Sequence, residues 1–226
     1  MQLPRNLPNA ITASRLVMAV VLFALLAILD HARGGAETAL ANAVRHEERL
    51  LLNSCLVIFL AAAISDILDG QIARRWKLQT DFGRIVDPFA DKVVVCGAFI
   101  LLVPIRGAQV ASWMVVVILA RELLVDGLRA FAEAKGVAFP AMVSGKAKMV
   151  VQSTCISWIF FTMANAPAAP WATTTITVLL GLTLAITVWS GGQYVLHARK
   201  VLRADALTAN TAAATPVPST PAVEAR

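Results

Sequence analysis

The chain has 226 residues, 58% hydrophobic and 15% charged, with a mean hydropathy of +0.70 and a formal net charge of +6. Soluble domains are about 45–50% apolar and about 25% charged, so this chain has too little polar surface to cover a water-facing domain. That balance excludes an intrinsically disordered chain, a nucleic-acid-binding domain and a secreted disulfide scaffold, and it assigns the basic excess to a membrane surface.

A bilayer-crossing helix needs about 20 mostly apolar residues, and six segments are predicted to qualify. Residues 2–9, with Pro4 and Pro8, are expected to lie along the membrane interface. The first span runs from about Ala10 to Leu29 and is interrupted by Arg15. Its apolar run is too long for a signal peptide, and no small-residue cleavage site follows it. The stretch from Asp30 to Arg49, with mixed charges and Gly34-Gly35, reads as a solvated connection with room for a short helix. The second span enters at Leu50 and stays uncharged to Ser65. The third follows Lys92, from Val93 to Ile105, and the fourth runs from Gly107 into Arg121, Glu122, Asp126 and Arg129. The last two share an uncharged block that starts at Met149, and Pro167 and Pro170 divide it because proline stops a helix. The sixth is expected to end near His197, and the Ala-, Thr- and Pro-rich tail after Ala204 to be disordered. Cys55, Cys96 and Cys155 lie in apolar stretches without ligand or pair spacing and are read as packing residues.

The expected fold is therefore all-α, an integral membrane bundle of six transmembrane helices. Lysine and arginine bias sets its orientation. With the N-terminus in the cytoplasm, that side collects Arg5, Arg74, Arg75, Lys77, Arg84, Arg129, Lys146, Lys148 and Arg203, among others, and the opposite side holds Arg33, Arg45, Arg49 and Arg106. Both termini are then cytoplasmic.

The informative stretch is residues 66–91. Asp66 and Asp69 are three apart and share a face at the end of the second helix. Asp87 and Asp91 are four apart at the start of the third, where Asp87-Pro88 reads as an N-cap followed by proline in the first helical position. A short connection makes these helices antiparallel neighbours, so the four carboxylates can converge. Two like charges about 4 Å apart repel by about 4 kcal/mol at an effective dielectric near 20. Either some of the acids are protonated or cations sit between them. Two hard divalent ions, Mg²⁺ or Mn²⁺, suit an all-oxygen site, and the absence of nearby His or Cys argues against zinc. A lone aspartate here would be read as a solvated partner of Arg74, Arg75, Lys77 or Arg84; four at facing helical spacings are read as a site. Gly70 and Ala73 leave room for a ligand beside the acids, Arg74 offers a planar donor fork to a phosphate, and Gly83 lets the chain pass close to the bound group. Such an arrangement suits a diphosphate substrate. A cation transporter or channel would also use an acid cluster, but it would place the acids deep in the spans and leaves Gly70, Ala73 and Arg74 without a purpose.

The stretch Asp66-x2-Asp69-Gly70-x2-Ala73-Arg74-x8-Gly83-x3-Asp87-x3-Asp91 resembles, with every spacing intact, the signature of the CDP-alcohol phosphatidyltransferases. The resemblance implies a six-helix membrane enzyme, usually a homodimer, that cleaves a CDP-linked lipid. It implies that Asp66, Asp69, Asp87 and Asp91 hold two divalent ions and that Gly70, Ala73 and Arg74 cradle the CDP moiety with Asp66 and Asp69 nearby. It also implies that Asp91 is the base for the acceptor hydroxyl. The membrane domain of that family would span residues 1–203, followed by the tail at 204–226.

Three further motifs are similar to the bacterial phosphatidylglycerophosphate synthase branch. They are Asn6-Leu-Pro8-Asn9-Ala-Ile-Thr12-Ala-Ser-Arg15, Arg121-Glu122-Leu-Leu-Val-Asp126-Gly-Leu-Arg129, and Gly145-Lys146-Ala-Lys148-Met-Val-Val-Gln152. The branch implies CDP-diacylglycerol and glycerol 3-phosphate as substrates in the cytoplasmic membrane. Ionisable residues within a span are costly and by default functional. Glu122, Asp126 and Arg129 fall on one helical face, and Arg121, Arg129, Lys146 and Lys148 can form a basic pocket for the acceptor phosphate. The competing reading pairs Glu122 with Arg129 internally and lets Lys146 and Lys148 snorkel to head groups. Asp126 departs from the small residue expected in this branch and adds a negative charge near the pocket. Inositol phosphate is the alternative acceptor.

Overall fold

The computed structural model describes residues 7–34, 41–76, 81–136, 143–167 and 169–214; of these, 7–11, 34, 41–45, 66–76, 81–88, 143, 146 and 201–214 are described as backbone only. Among the described residues the chain is all-helical. Its elements are α1 (Leu7–Gly34), α2 (Ala41–Trp76), α3 (Asp81–Leu102), α4 (Ser112–Ala134), α5 (Val143–Asn165) and α6 (Pro170–Ala214).

Four stretches in these helices are long and apolar enough to cross a membrane: Thr12–Arg33, His46–Ser65, Ala147–Asn165 and Pro170–Lys200. The expected third and fourth spans do form helices, α3 and α4. However, charge occupies the first half of one (Asp81, Arg84, Asp87, Asp91, Lys92) and the second half of the other (Arg121, Glu122, Asp126, Arg129, Glu133). The apolar stretch left in each is short.

The packing is led by helix spacing. On α1 the residues Thr12, Arg15, Ala19, Leu22, Leu26 and Leu29 recur every three or four positions and are all buried. They face α2 and α3, while α5 packs against α2 and α6, and α4 packs against α6. Leu22, Leu26, Leu52, Phe59, Phe99, Leu102, Ile156 and Phe160 fill the centre, with Phe59 and Phe160 edge to face at 6.2 Å. Cys55, Cys96 and Cys155 are free and buried in this core, as expected of packing residues. The outward face is apolar as well: Val17, Val57, Leu123 and Val178 are each more than 60% exposed. An apolar exterior around a packed interior is what lipid requires of a bundle and what water does not tolerate.

Several boundaries differ from the sequence reading. α1 already begins at Leu7, because Pro8 falls in the first turn, where its missing N–H has no intrahelical partner to lose. α2 begins at Ala41, so the expected connection up to Arg49 is helical in its last part. α3 begins at Asp81 rather than at the Asp87-Pro88 cap. Pro88 therefore lies inside the helix, where it removes the N–H that would bond the Arg84 carbonyl. α6 continues past His197 to Ala214, well into the segment expected to be disordered, because the alanine-rich run before Pro216 has high helix propensity. Residues 215–226 lie outside the described residues. The break before α6 is as expected, with Pro170 in the first helical position.

Between α3 and α4 the chain turns tightly through Gly107 (φ 96°) and Gln109 (φ 57°). Gln109 is held there from α6: its amide donates to the Thr173 carbonyl at 3.3 Å, and the Thr177 hydroxyl donates to its Oε1 at 2.6 Å.

Candidate functional site

The aspartate signature lies on the last turns of α2 and the first turns of α3, and the backbone is helical through both parts. Asp66 and Asp69 therefore keep the one-turn register that puts them on a common face, as do Asp87 and Asp91. The side chains of Asp66, Asp69, Ala73, Arg74 and Asp87, and the surroundings of Gly70 and Gly83, lie outside the described residues. Asp91 is described; it is half-buried on α3 and is preceded by the fully buried Ala90. Among the described residues no group of three or more His, Cys, Asp or Glu is close enough to hold a metal. The donor chemistry of the signature, four carboxylates in helical register, fits hard divalent ions with oxygen preference and does not fit zinc.

The neighbouring charged cluster is visible in detail. Glu122 on α4 is buried, and Lys148 on α5 donates to its Oε1 at 2.5 Å. Arg121 Nη1 lies 3.4 Å from the same oxygen. The Arg121 guanidinium stands over the Tyr194 ring of α6 at 5.4 Å, a cation–π distance. Its chain passes over Gly191, where an added Cβ would meet Arg121 Cγ at 3.1 Å. Gly145 likewise admits the Tyr194 hydroxyl, 3.0 Å from where a Cβ would be. Two buried cations thus share one carboxylate and leave net positive charge. Nε and Nη2 of Arg121 are buried donors without a hydrogen-bond partner. Buried guanidinium donors are costly to leave unpaired, and these two are the cluster's unsatisfied positive positions among the described residues.

Arg121 and Lys148 are therefore brought together, as the sequence suggested. Arg129 is placed differently: it lines a cavity of about 940 Å³ between α3 and α4, with Lys92, Glu122, Asp126 and Glu133. Lys146 is a residue whose side chain lies outside the described set. The alternative pairing of Glu122 with Arg129 gives way to Lys148 and Arg121 as its partners, and Lys148 does not snorkel but is buried. Asp126 also finds its reason: it pairs with Lys92 of α3, so its charge is answered by the residue next to Asp91. Lys92, the residue after Asp91, and Glu122 line the same cavity. The ion cluster of α4 and α5 and the last signature aspartate thus border the same region of the bundle.

Sequence reasoning missed the contribution of α6. Thr183, Thr187, Ser190 and Tyr194 are spaced four, three and four apart and are all buried. They face α5, where Ser144, Lys148 and Gln152 recur every fourth residue and are also buried; Gln152 donates to the Thr187 hydroxyl at 3.4 Å. The signal was present as polar residues at helical spacing in an uncharged span, which composition alone conceals.

The profile of the CDP-alcohol phosphatidyltransferase family matches residues 5–189. A CDP-diacylglycerol–glycerol-3-phosphate 3-phosphatidyltransferase of Mycoplasma pneumoniae is 38% identical over 154 residues, covering 67% of this chain and 66% of that protein, just under two thirds of its length. The Bacillus subtilis protein of the same name is 32% identical over 198 residues, 84% of this chain and 93% of its own. A probable phosphatidylglycerophosphate synthase of Mycobacterium tuberculosis is 35% identical over 193 residues, 85% of this chain and 81% of its own.

Proposed function

The chain belongs to the CDP-alcohol phosphatidyltransferase family, and from that membership we propose that it transfers the phosphatidyl group of CDP-diacylglycerol to glycerol 3-phosphate, giving phosphatidylglycerophosphate and CMP. The relatives' names support this reaction. The observation that carries the choice of acceptor is the pair of buried cations, Arg121 and Lys148, held beside Glu122, which shares a cavity with Lys92, the residue after Asp91. A phosphate-bearing acceptor answers their charge; an uncharged alcohol does not.

In this reading the CDP moiety lies along α2, with its phosphates against Arg74 and its approach opened by Gly70, Ala73 and Gly83. Asp66, Asp69, Asp87 and Asp91 hold two divalent ions, Mg²⁺ or Mn²⁺. When bound, these ions neutralise the diphosphate, lower the pKa of the acceptor hydroxyl and stabilise the departing phosphate. Arg121 and Lys148 bind the acceptor phosphate and orient its free hydroxyl, and Arg129 and Lys146 add to the positive field on the approach. Asp91 takes the hydroxyl proton as the oxygen attacks the β-phosphorus. The bond to CMP breaks, and Arg74 keeps a charge-assisted hydrogen bond to the leaving group.

The same reading makes all six helices membrane-spanning, with both termini and the site on the cytoplasmic side. Lipid tails then stay in the bilayer while the head groups react at its edge. Residues 1–203 form the catalytic membrane domain, which acts as a homodimer. The test is to incubate membranes containing the protein with CDP-diacylglycerol, radiolabelled glycerol 3-phosphate and Mg²⁺. Labelled lipid that disappears on chelation is expected; no labelled lipid, or labelling that survives chelation, rejects the proposal.

A further inference from the structure

The bundle end opposite the aspartates has its own polar cavity, of about 620 Å³, lined by Arg33, His46, Glu48, Arg49 and Asn165 over an apolar floor that includes Met163. Three apolar spans end at this level: Arg33 closes one, His46 opens the next, and Asn165 closes a third. Arg49 and Asp66 are separated by roughly 25 Å along α2 at the α-helical rise. The cavity therefore lies at a membrane boundary, at head-group depth, and far from the signature.

Its charges are already partly assigned. Arg33 donates through Nη1 to the Arg106 carbonyl at 2.6 Å and through Nε to Glu48 Oε1 at 3.2 Å, so Glu48 is neutralised within the protein. Arg49 gives Nη2 to the neutral Asn165 Oδ1 at 3.2 Å. Asn165 is fixed in that orientation because its own amide donates to Asn53 Oδ1 at 3.2 Å and to the Phe161 carbonyl at 3.1 Å. A guanidinium has five N–H donors, so a braced, exposed Arg49, which pairs with no carboxylate among the described residues, presents further donors to the cavity, with the His46 ring beside it. A zwitterionic head group would need a carboxylate for its ammonium, and Glu48 is engaged by Arg33. The apolar floor suits the ester end of a lipid, and the volume exceeds what a lone phosphate fills.

We propose that this cavity binds the phosphate of an anionic glycerophospholipid, gripped by Arg49 with His46, at the membrane face opposite the reaction site. Among the described residues the site is built mainly from α1, α2 and α5 and does not depend on the proposed reaction. It can be tested on the delipidated full-length protein in neutral detergent. Native mass spectrometry and thermal unfolding would be followed with dioleoylphosphatidylglycerol, dioleoylphosphatidylcholine or inorganic phosphate, for the unaltered chain and for Arg49→Gln. The expected result is that Arg49→Gln weakens phosphatidylglycerol binding at one site about tenfold or more, with phosphatidylcholine binding unchanged. If Arg49→Gln lowers the lipid-free unfolding temperature, the exposed His46→Gln reads the same site, with a several-fold loss expected. Equal phosphatidylglycerol retention by variant and unaltered chain overturns the proposal. So does phosphatidylcholine bound as tightly, or inorganic phosphate protecting as well as the lipid.

Discussion

Replacing Lys148 with methionine separates a structural counter-ion from an acceptor ligand. Lys148 and Glu122 are 2.5 Å apart, with side chains only 11% and 8% exposed. Their attraction is about 7 kcal/mol at an effective dielectric of 20, much of it offset by desolvation. Breaking such a buried pair from one side costs about 3–5 kcal/mol, because the remaining charge is stranded. Lys148→Met leaves Glu122 with Arg121 at 3.4 Å, and the unfolding temperature should fall accordingly. The double variant Glu122→Gln/Lys148→Met restores the cluster's net charge: two cations and one carboxylate become one cation. It should recover part of that stability: an isosteric uncharged pair in place of a buried ion pair is near neutral, but buried Arg121 is left with a neutral amide where its carboxylate stood. The KM for glycerol 3-phosphate should not recover. Losing a charge-assisted hydrogen bond worth about 1.5–3 kcal/mol raises it about 10- to 100-fold. The assay is thermal unfolding in detergent alongside steady-state kinetics with both substrates varied. If the double variant regains both stability and acceptor KM, Lys148 serves only Glu122 and the acceptor assignment is refuted.

Gly191→Ala would push its Cβ to 3.1 Å from Arg121 Cγ, so Arg121 must shift by a few tenths of an ångström. We expect a several-fold higher KM for glycerol 3-phosphate with CDP-diacylglycerol KM unchanged, which substrate titrations would detect. Asp91→Asn should lower kcat by about 10²–10⁴, the range of a general base, with circular dichroism and unfolding temperature little altered; activity near that of the unaltered chain would remove Asp91 from the chemistry. At Gly97 an added Cβ would run into the Phe23 ring, so Gly97→Ala should cost about 1–3 kcal/mol by overpacking. Adding Phe23→Ala should return part of that loss in an unfolding experiment.

The apolar runs disclosed the six helices seen among the described residues, but only four of them hold a stretch with the length and apolarity that crossing a bilayer demands. Their ends were less legible. A helix can continue past the hydrocarbon edge wherever its residues tolerate it, so α2 reaches Trp76, α3 starts at Asp81 and α6 extends to Ala214. Asp87-Pro88 misled for a local reason: the motif marks many helix starts, but here the backbone is already helical from Asp81. In the candidate site, the aspartates stood out as candidates by their spacing, whereas Tyr194 and the α6 threonines did not. Their polarity is masked by apolar neighbours, and their meaning depends on facing Lys148 and Gln152 across the α5–α6 seam. Asp126 could be noticed in the sequence but not explained, since its partner Lys92 lies on another helix.

The most direct measurement is acceptor choice by the purified protein. CDP-diacylglycerol and Mg²⁺ would be supplied with equimolar glycerol 3-phosphate, inositol phosphate and serine, and both lipid products and CMP quantified. Phosphatidylglycerophosphate and CMP in equal amounts, with the other acceptors unused, is the predicted result. A different phosphatidyl ester, or CMP released without phosphatidylglycerophosphate, would contradict it.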